Sequence, residues 1–307
     1  MHLKINHANI GYDKTLISDA NADLNLGEVC LLIGNNGVGK TTLIKSILHQ
    51  ISLLKGEILI DNKNVKNLSV KEIAKNIAVV FSKSTIPQNY TVEDLISLGK
   101  YIYYPFYFEL KNNDRAEVRE IIQELDLSQY TNTLLKNLSD GNLQKAFIGR
   151  AITQNSQIII LDEPTTHLDE KNKLIILKTL RKLAKQQNKI ILFSSHDWRL
   201  AKEFADKMWY IKDHHLYSGI VEDVLLQHDE LTDVSLFQIN DDFVAPSIDS
   251  PLIQKEMLYS LLQKNFQKDL SSFNFRLNES IWEISYHNNL YKCESFEEIV
   301  KLIPNLH

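Results

Sequence analysis

An apolar run, Val29-Cys30-Leu31-Leu32-Ile33, passes directly into Gly34-Asn35-Asn36-Gly37-Val38-Gly39-Lys40-Thr41. Residues 42–49 then carry Leu43, Ile44, Ile47 and Leu48 at helical spacing. The run lacks polar alternation, as expected of a strand covered on both faces in a parallel sheet. Strand, glycine-rich turn and helix together satisfy G-x-x-x-x-G-K-[ST] in the context that gives this spacing its meaning. The glycines let successive backbone N–H groups point inward at phosphate oxygens; Lys40 neutralises charge on the β and γ phosphates, and Thr41 offers a hydroxyl to Mg²⁺. The helix start adds partial positive charge. Residues 34–41 together with Thr42 are therefore candidate ligands of a nucleoside triphosphate.

Further apolar runs at residues 77–81, 158–161 and 190–193 alternate with segments of helical period, which predicts an α/β chain with a largely parallel central sheet. The short, β-like pattern of residues 3–26, punctuated by Gly11, Asp13 and Gly27, predicts antiparallel strands beside it. Strand signals stop between residues 88 and 154. Thr91 and Asp94 have the spacing of a capping pair opening a helix through residue 101, and residues 114–125 place Val118, Ile121, Ile122 and Leu125 on one face. A helical insertion at about 88–150 follows. Beyond Asp241-Asp242 and a turn-rich stretch at 246–251, the pattern predicts a helix at 252–264, strands near 273–277 and 281–286, and a final helix at 295–303. The expected division is thus a nucleotide-binding domain over 1–235 and a small α/β appendage over 236–307.

The strand-like run Ile158-Ile159-Ile160-Leu161 ends in Asp162-Glu163-Pro164. Neighbouring residues at a strand end point to different sides, so the two carboxylates can take different tasks. Asp162 suits the Mg²⁺ shell and Glu163 suits polarising an attacking water.

The net charge of -5 argues against nucleic acid as the main partner. No stretch reaches the ~18 uninterrupted apolar residues of a membrane-spanning helix, and the first residues lack a signal-peptide pattern. Work at a membrane would therefore pass through a partner. Cys30 and Cys293, the two cysteines, have no metal-ligand spacing and read as reduced thiols.

Three further segments carry a family resemblance over roughly residues 3–235. Leu138-Ser139-Asp140-Gly141-Asn142 is similar to the LSGGQ signature of ABC transporter nucleotide-binding subunits, Thr166-His167-Leu168-Asp169 resembles their D-loop, and Ser194-Ser195-His196-Asp197 resembles their switch histidine. The resemblance implies a phosphate-loop NTPase with a RecA-like parallel core, an antiparallel β subdomain and an inserted helical subdomain. It also implies two copies stacked head to tail around ATP and Mg²⁺, with Ser139, Gly141 and Asn142 of one facing the γ-phosphate held by the other, and Asp169 at the D-loop. His196 would hold the γ-phosphate and water, and Tyr12 matches the aromatic that stacks on adenine.

Two departures stand out. Ser82 occupies the place of the glutamine that senses Mg²⁺ and the permease, with Gln88 six residues too late to replace it. Asp140 replaces a glycine and puts negative charge beside a phosphate; Lys145 is a candidate to pair with it. Residues 91–100, Thr-Val-Glu-Asp-Leu-Ile-Ser-Leu-Gly-Lys, resemble the corresponding stretch in importers of iron siderophores, haem and cobalamin. The implied role is the peripheral ATPase on the inner, cytoplasmic face of the membrane, bound to permease subunits and served indirectly by a substrate-binding protein. A non-transport ABC ATPase, or a nucleotide-dependent regulatory module with weak turnover, stays open as the alternative.

Overall fold

The computed structural model describes residues 2–82, 89–104, 108–166, 168–232, 243–266, 268–287 and 289–306. Gln88 and His167 lie outside the described residues. The chain divides into two compact units between residues 226 and 227.

In the first unit, β1 (Leu3–Gly11) and β2 (Thr15–Leu24) form a hairpin that buries Leu3, Ile5, Ile10, Ile17 and Leu24. β3 (Val29–Gly34) has every residue from Val29 to Ile33 buried and runs into α1 (Lys40–Ile47). Each such aliphatic side chain removed from water contributes roughly 1.5–3 kcal/mol, so this strand anchors the loop that follows it. β4 (Lys55–Ile60) and β5 (Lys63–Asn64) return to the hairpin, giving an antiparallel sheet of order β2-β1-β4-β5. α2 (Val70–Asn76), opened by a capping box between Ser69 and Glu72, leads into β6 (Ile77–Val80).

Three packed helices follow: α3 (Val92–Ser97), α4 (Asn112–Glu124) and α5 (Asp140–Thr153). The capping pair forms, Asp94 N–H donating to Thr91 Oγ1 (3.2 Å) and Thr91 N–H to Asp94 Oδ2 (2.9 Å). The α-helix ends at Ser97, earlier than the sequence predicts, and the chain continues as a 3₁₀ turn over Leu98–Tyr103. Gly99 permits this turn to lie against α5, since a Cβ there would sit 2.3 Å from the Arg150 carbonyl oxygen.

β7 (Ile158–Leu161), α6 (Glu170–Gln187), β8 (Ile190–Ser194), α7 (Trp198–Ala201), β9 (Lys207–Lys212) and β10 (His215–Ile220) complete a six-stranded sheet of order β10-β9-β3-β8-β7-β6, and α8 (Val221–Gln227) follows. β9, β3, β8, β7 and β6 are parallel; only β10 is antiparallel. Their carboxyl ends lie on one edge, where ligands of open α/β sheets bind.

The second unit begins with α9 (Asp229–Thr232) and β11 (Ser247–Asp249), continues through α10 (Leu252–Asn265), β12 (Asn274–Asn278), β13 (Ile281–Tyr286) and β14 (Asn289–Cys293), and closes on α11 (Phe296–Leu302). Its own core joins Leu258, Leu262, Phe273, Phe275, Trp282, Ile284 and Ile299. The turn-rich stretch at 246–251 is not merely a linker: β11 pairs parallel with β12, and β14 adds a fourth strand to the two that the pattern predicts.

Candidate functional site

The loop after β3 follows from its glycines. Gly34, Gly37 and Gly39 have φ of 148°, 80° and 113°, a region that L side chains rarely adopt. A Cβ at Gly34 would also lie 2.7 Å from the Ile211 carbonyl oxygen, whereas one at Gly37 would meet nothing within 4 Å. The loop is thus pressed on the sheet at its base and open at its apex.

Lys40, the first residue of α1, is buried and turns back over the loop, its Nζ donating to the carbonyls of Gly34 (2.7 Å) and Asn35 (3.1 Å). Burial lowers its pKa from the ordinary lysine value, and the charges of Glu163 and Asp162 work against that shift. The first N–H groups of α1 have no intrahelical acceptor, and no side chain caps them.

Beside the loop, Thr41 Oγ1 donates to Asp162 Oδ2 at 3.0 Å. Two cis oxygens bound at ~2.1 Å to an octahedral Mg²⁺ stand about 3.0 Å apart, so this pair fits the ion. Among the described residues no group of three or more His, Cys, Asp or Glu could hold a metal by itself. Such a donor set suits an ion that arrives with phosphate and keeps several waters.

Asp162 is buried at the end of β7, and its second oxygen accepts from Ser194 Oγ (2.8 Å) at the end of β8. The same hydroxyl accepts from the backbone N–H of Glu163 (2.8 Å), which holds Glu163 at φ 56°, a left-handed conformation unusual for this residue. Adjacent carboxylates are thereby turned apart. Glu163 Oε1 meets His196 Nε2 at 2.6 Å, and Glu163 Oε2 accepts from Thr166 Oγ1 at 3.2 Å. Asp197 in turn is paired with Lys173 of α6 at 2.7 Å.

Residues 34–41, Asp162, Glu163 and His196 therefore share one sheet edge. The other sequence candidates lie apart from this network. Tyr12 is 58% exposed just past the end of β1. Ser139 caps α5, accepting from the Asn142 N–H (3.4 Å), with Gly141 in the first turn. Asp169 caps α6; its carboxyl accepts from the backbone N–H and side-chain amide of Asn172, which hold its pKa below the usual value. Thr42 is buried in α1. Ser82, two residues beyond β6, is exposed and bonds to neither Thr41 nor Asp162. Asp140 and Lys145 form no ion pair: Asp140 is exposed in the first helical turn, where negative charge favours the helix dipole, and Lys145 is buried, five residues along the helix and on a different face.

A lysine folded over a left-handed glycine loop, with a threonine hydroxyl on a buried strand-end aspartate, defines the class: this is a phosphate-loop nucleotide-binding fold. The ABC transporter family profile matches residues 17–166. The iron(3+)-hydroxamate import ATP-binding protein of Bacillus subtilis is 32% identical over 204 residues, covering 66% of this chain and 76% of that protein. The petrobactin import ATP-binding protein of Bacillus anthracis is 30% identical over 225 residues, covering 73% and 82%. Among solved structures, an inward-facing ABC transporter assigned to the metal-chelate type superposes with a TM-score of 0.65 at 26% identity, over 75% of this chain and 87% of that one. A dimeric post-hydrolysis cassette bound to ADP and Pi gives 0.64 at 25% identity, over 71% and 98%. The chain belongs to the ABC transporter ATP-binding family, and it is an ATPase of the transport class.

Three residues of the site escape the sequence reading as individuals. Ser194 is a buried serine inside a quoted motif, and its bridging of Asp162 to Glu163 depends on β7 and β8 being neighbours. Asn172 touches both the D-loop and the signature: a Cβ on Gly141 would lie 3.2 Å from its side-chain amide. Arg150 donates from Nη2 to the Val79 carbonyl at 2.7 Å. The Ser194, Arg150 and Asn172–Gly141 pairings have no spacing in the sequence that reveals them.

Proposed function

We propose that this chain hydrolyses ATP at composite sites between two copies of itself and thereby energises an importer of an iron chelate, haem or cobalamin. The observation that carries hydrolysis is the continuous network Thr41–Asp162–Ser194–Glu163–His196. Lys40 exchanges its loop carbonyls for phosphate oxygens, and the free N–H groups of α1 face the same anion. Thr41 and Asp162 would hold Mg²⁺, which would supply positive charge to offset that developing on the phosphates. Glu163 accepts the proton of the attacking water, and His196 positions that carboxylate and the γ-phosphate. Ser139, Gly141 and Asn142 complete the site of the other copy, where the start of α5 adds its dipole, and Tyr12 stacks on adenine.

Cargo class rests on the import roles named for the two Bacillus relatives and on residues 91–100. Among the described residues no helix is long and apolar enough to cross a membrane. In this reading attachment to the inner membrane face runs through permease subunits, with a substrate-binding protein delivering cargo to them. Wild-type hydrolysis should fall at least a hundredfold in Glu163→Gln, while ATP binding is kept; equal rates would remove Glu163 from the mechanism. Copurification from membranes of a polytopic permease supports the transport role, and its absence under conditions that retain other such complexes counts against it.

A further inference from the structure

The inference concerns how the two halves of one chain's machinery are joined, and it rests on the composite-site reading. α5 begins at the signature and spans about 16 Å between Ser139 and Arg150 at 1.5 Å per residue. Its far end is fastened to β6 and to the last turns of α2, which leads into that strand. Arg150 Nη2 donates to the Val79 carbonyl (2.7 Å), and Gln154 Nε2 donates to the carbonyls of Ala74 (2.6 Å) and Ile77 (2.9 Å). β6 pairs in parallel with β7, and the Val80 carbonyl accepts the backbone N–H of Asp162 at 2.8 Å. Asp162 is the acceptor of Thr41.

An unbroken chain of bonds thus leads from the residues that face the other copy's phosphate to the carboxylate that serves this copy's own. Arg150 sits at the joint between α5 and β6. Among the described residues its guanidinium makes one hydrogen bond and lies over the Phe147 ring (5.9 Å to the centroid), its Nε is buried with no hydrogen-bond partner, and its carbonyl lies where Gly99 lets the helical segment press against α5. Desolvation lowers its pKa. The Val79 carbonyl is the point at which this guanidinium grips β6.

We infer that Arg150 is a positioning residue that links the two ATP sites: by holding α5 to the Val79 carbonyl it makes engagement of Ser139 and Gly141 with the partner's nucleotide set the position of Asp162 in its own site. It touches neither nucleotide nor metal.

The test compares wild type, Arg150→Lys and Arg150→Met in the full chain. ADP affinity, a property of the unpaired site, should stay within about twofold, while kcat falls by ~2- to 30-fold, the span of measured couplings between linked sites. Lysine, which keeps the charge with one donor group, should retain more activity than methionine. Unchanged kcat, or ADP affinity falling in step with kcat, overturns the inference. A second measurement needs no change at Arg150. In Glu163→Gln, hydrogen exchange at residues 139–142 and at 158–163 should become protected at the same ATP concentration; protection at 139–142 alone overturns the link. If Glu163→Gln forms no ATP-bound pair at all, the composite-site reading fails first, and that result is read from the particle's mass rather than from Arg150.

Discussion

Ser194→Ala removes one oxygen and disturbs two neighbours. The Ser194 hydroxyl is fully buried, donates to Asp162 Oδ1 and accepts the Glu163 N–H, both at 2.8 Å. Leaving that N–H without a partner costs about 1–3 kcal/mol, and losing the hydrogen bond to a carboxylate costs ~1.5–3 kcal/mol. The two terms share one atom and do not add fully, so a total of about 2–4 kcal/mol is expected. For a unit of this size about 2–4 °C of melting temperature corresponds to each kcal/mol, which gives a fall of roughly 4–16 °C in the transition of the first unit by calorimetry. The same variant frees Glu163 from its left-handed backbone position, so kcat should fall while ADP binding without Mg²⁺ changes little. A melting temperature within about 1 °C of wild type, with normal kcat, would refute the view that Ser194 sets the two carboxylates apart.

Three other outcomes follow from particular contacts. Asp206 is partly buried, which alone would raise its pKa, but the Val29 N–H, Lys185 and Arg181 outweigh burial and hold it below the ordinary value. A depressed carboxylate stabilises the fold above its unfolded pKa of ~3.9 and ceases to do so as pH falls through its folded value; Asp206→Asn should therefore lower the urea midpoint at neutral pH and converge with wild type in acid. Tyr12→Ala should raise the KM for ATP by ~5- to 160-fold with kcat kept, given about 1–3 kcal/mol for a base stacked on an aromatic ring; a kcat loss with normal KM would exclude stacking. Removing residues 227–307 tests whether the second unit, which has its own core, helps hold the pair together or regulates it: weaker ATP-driven pairing or altered turnover is expected, and unchanged values for both would exclude those roles.

Much of this was legible because it is local. The loop at 34–41, the strand ending in Asp162-Glu163 and the Thr91/Asp94 cap are consecutive or nearly so, and their chemistry follows from φ preference, burial period and capping geometry. What stayed hidden is long-range. Ser194 gains its role from a neighbour 32 residues away, and Arg150 from one 71 residues away. Lys145 misled because helical phase separates it from Asp140, while β11 has only three residues, too few to display a period. β14, Asn-Leu-Tyr-Lys-Cys, buries only Cys293, so its pattern resembles a loop.

The composite site is tested most directly by the mass of Glu163→Gln in solution with MgATP. The expected particle has twice the 35.5 kDa of one chain, and adding Ser139→Arg returns it to a single chain that still binds ATP. A single chain in Glu163→Gln with ATP bound, or a pair that survives Ser139→Arg, would contradict the claim that the signature of one copy closes the nucleotide site of the other.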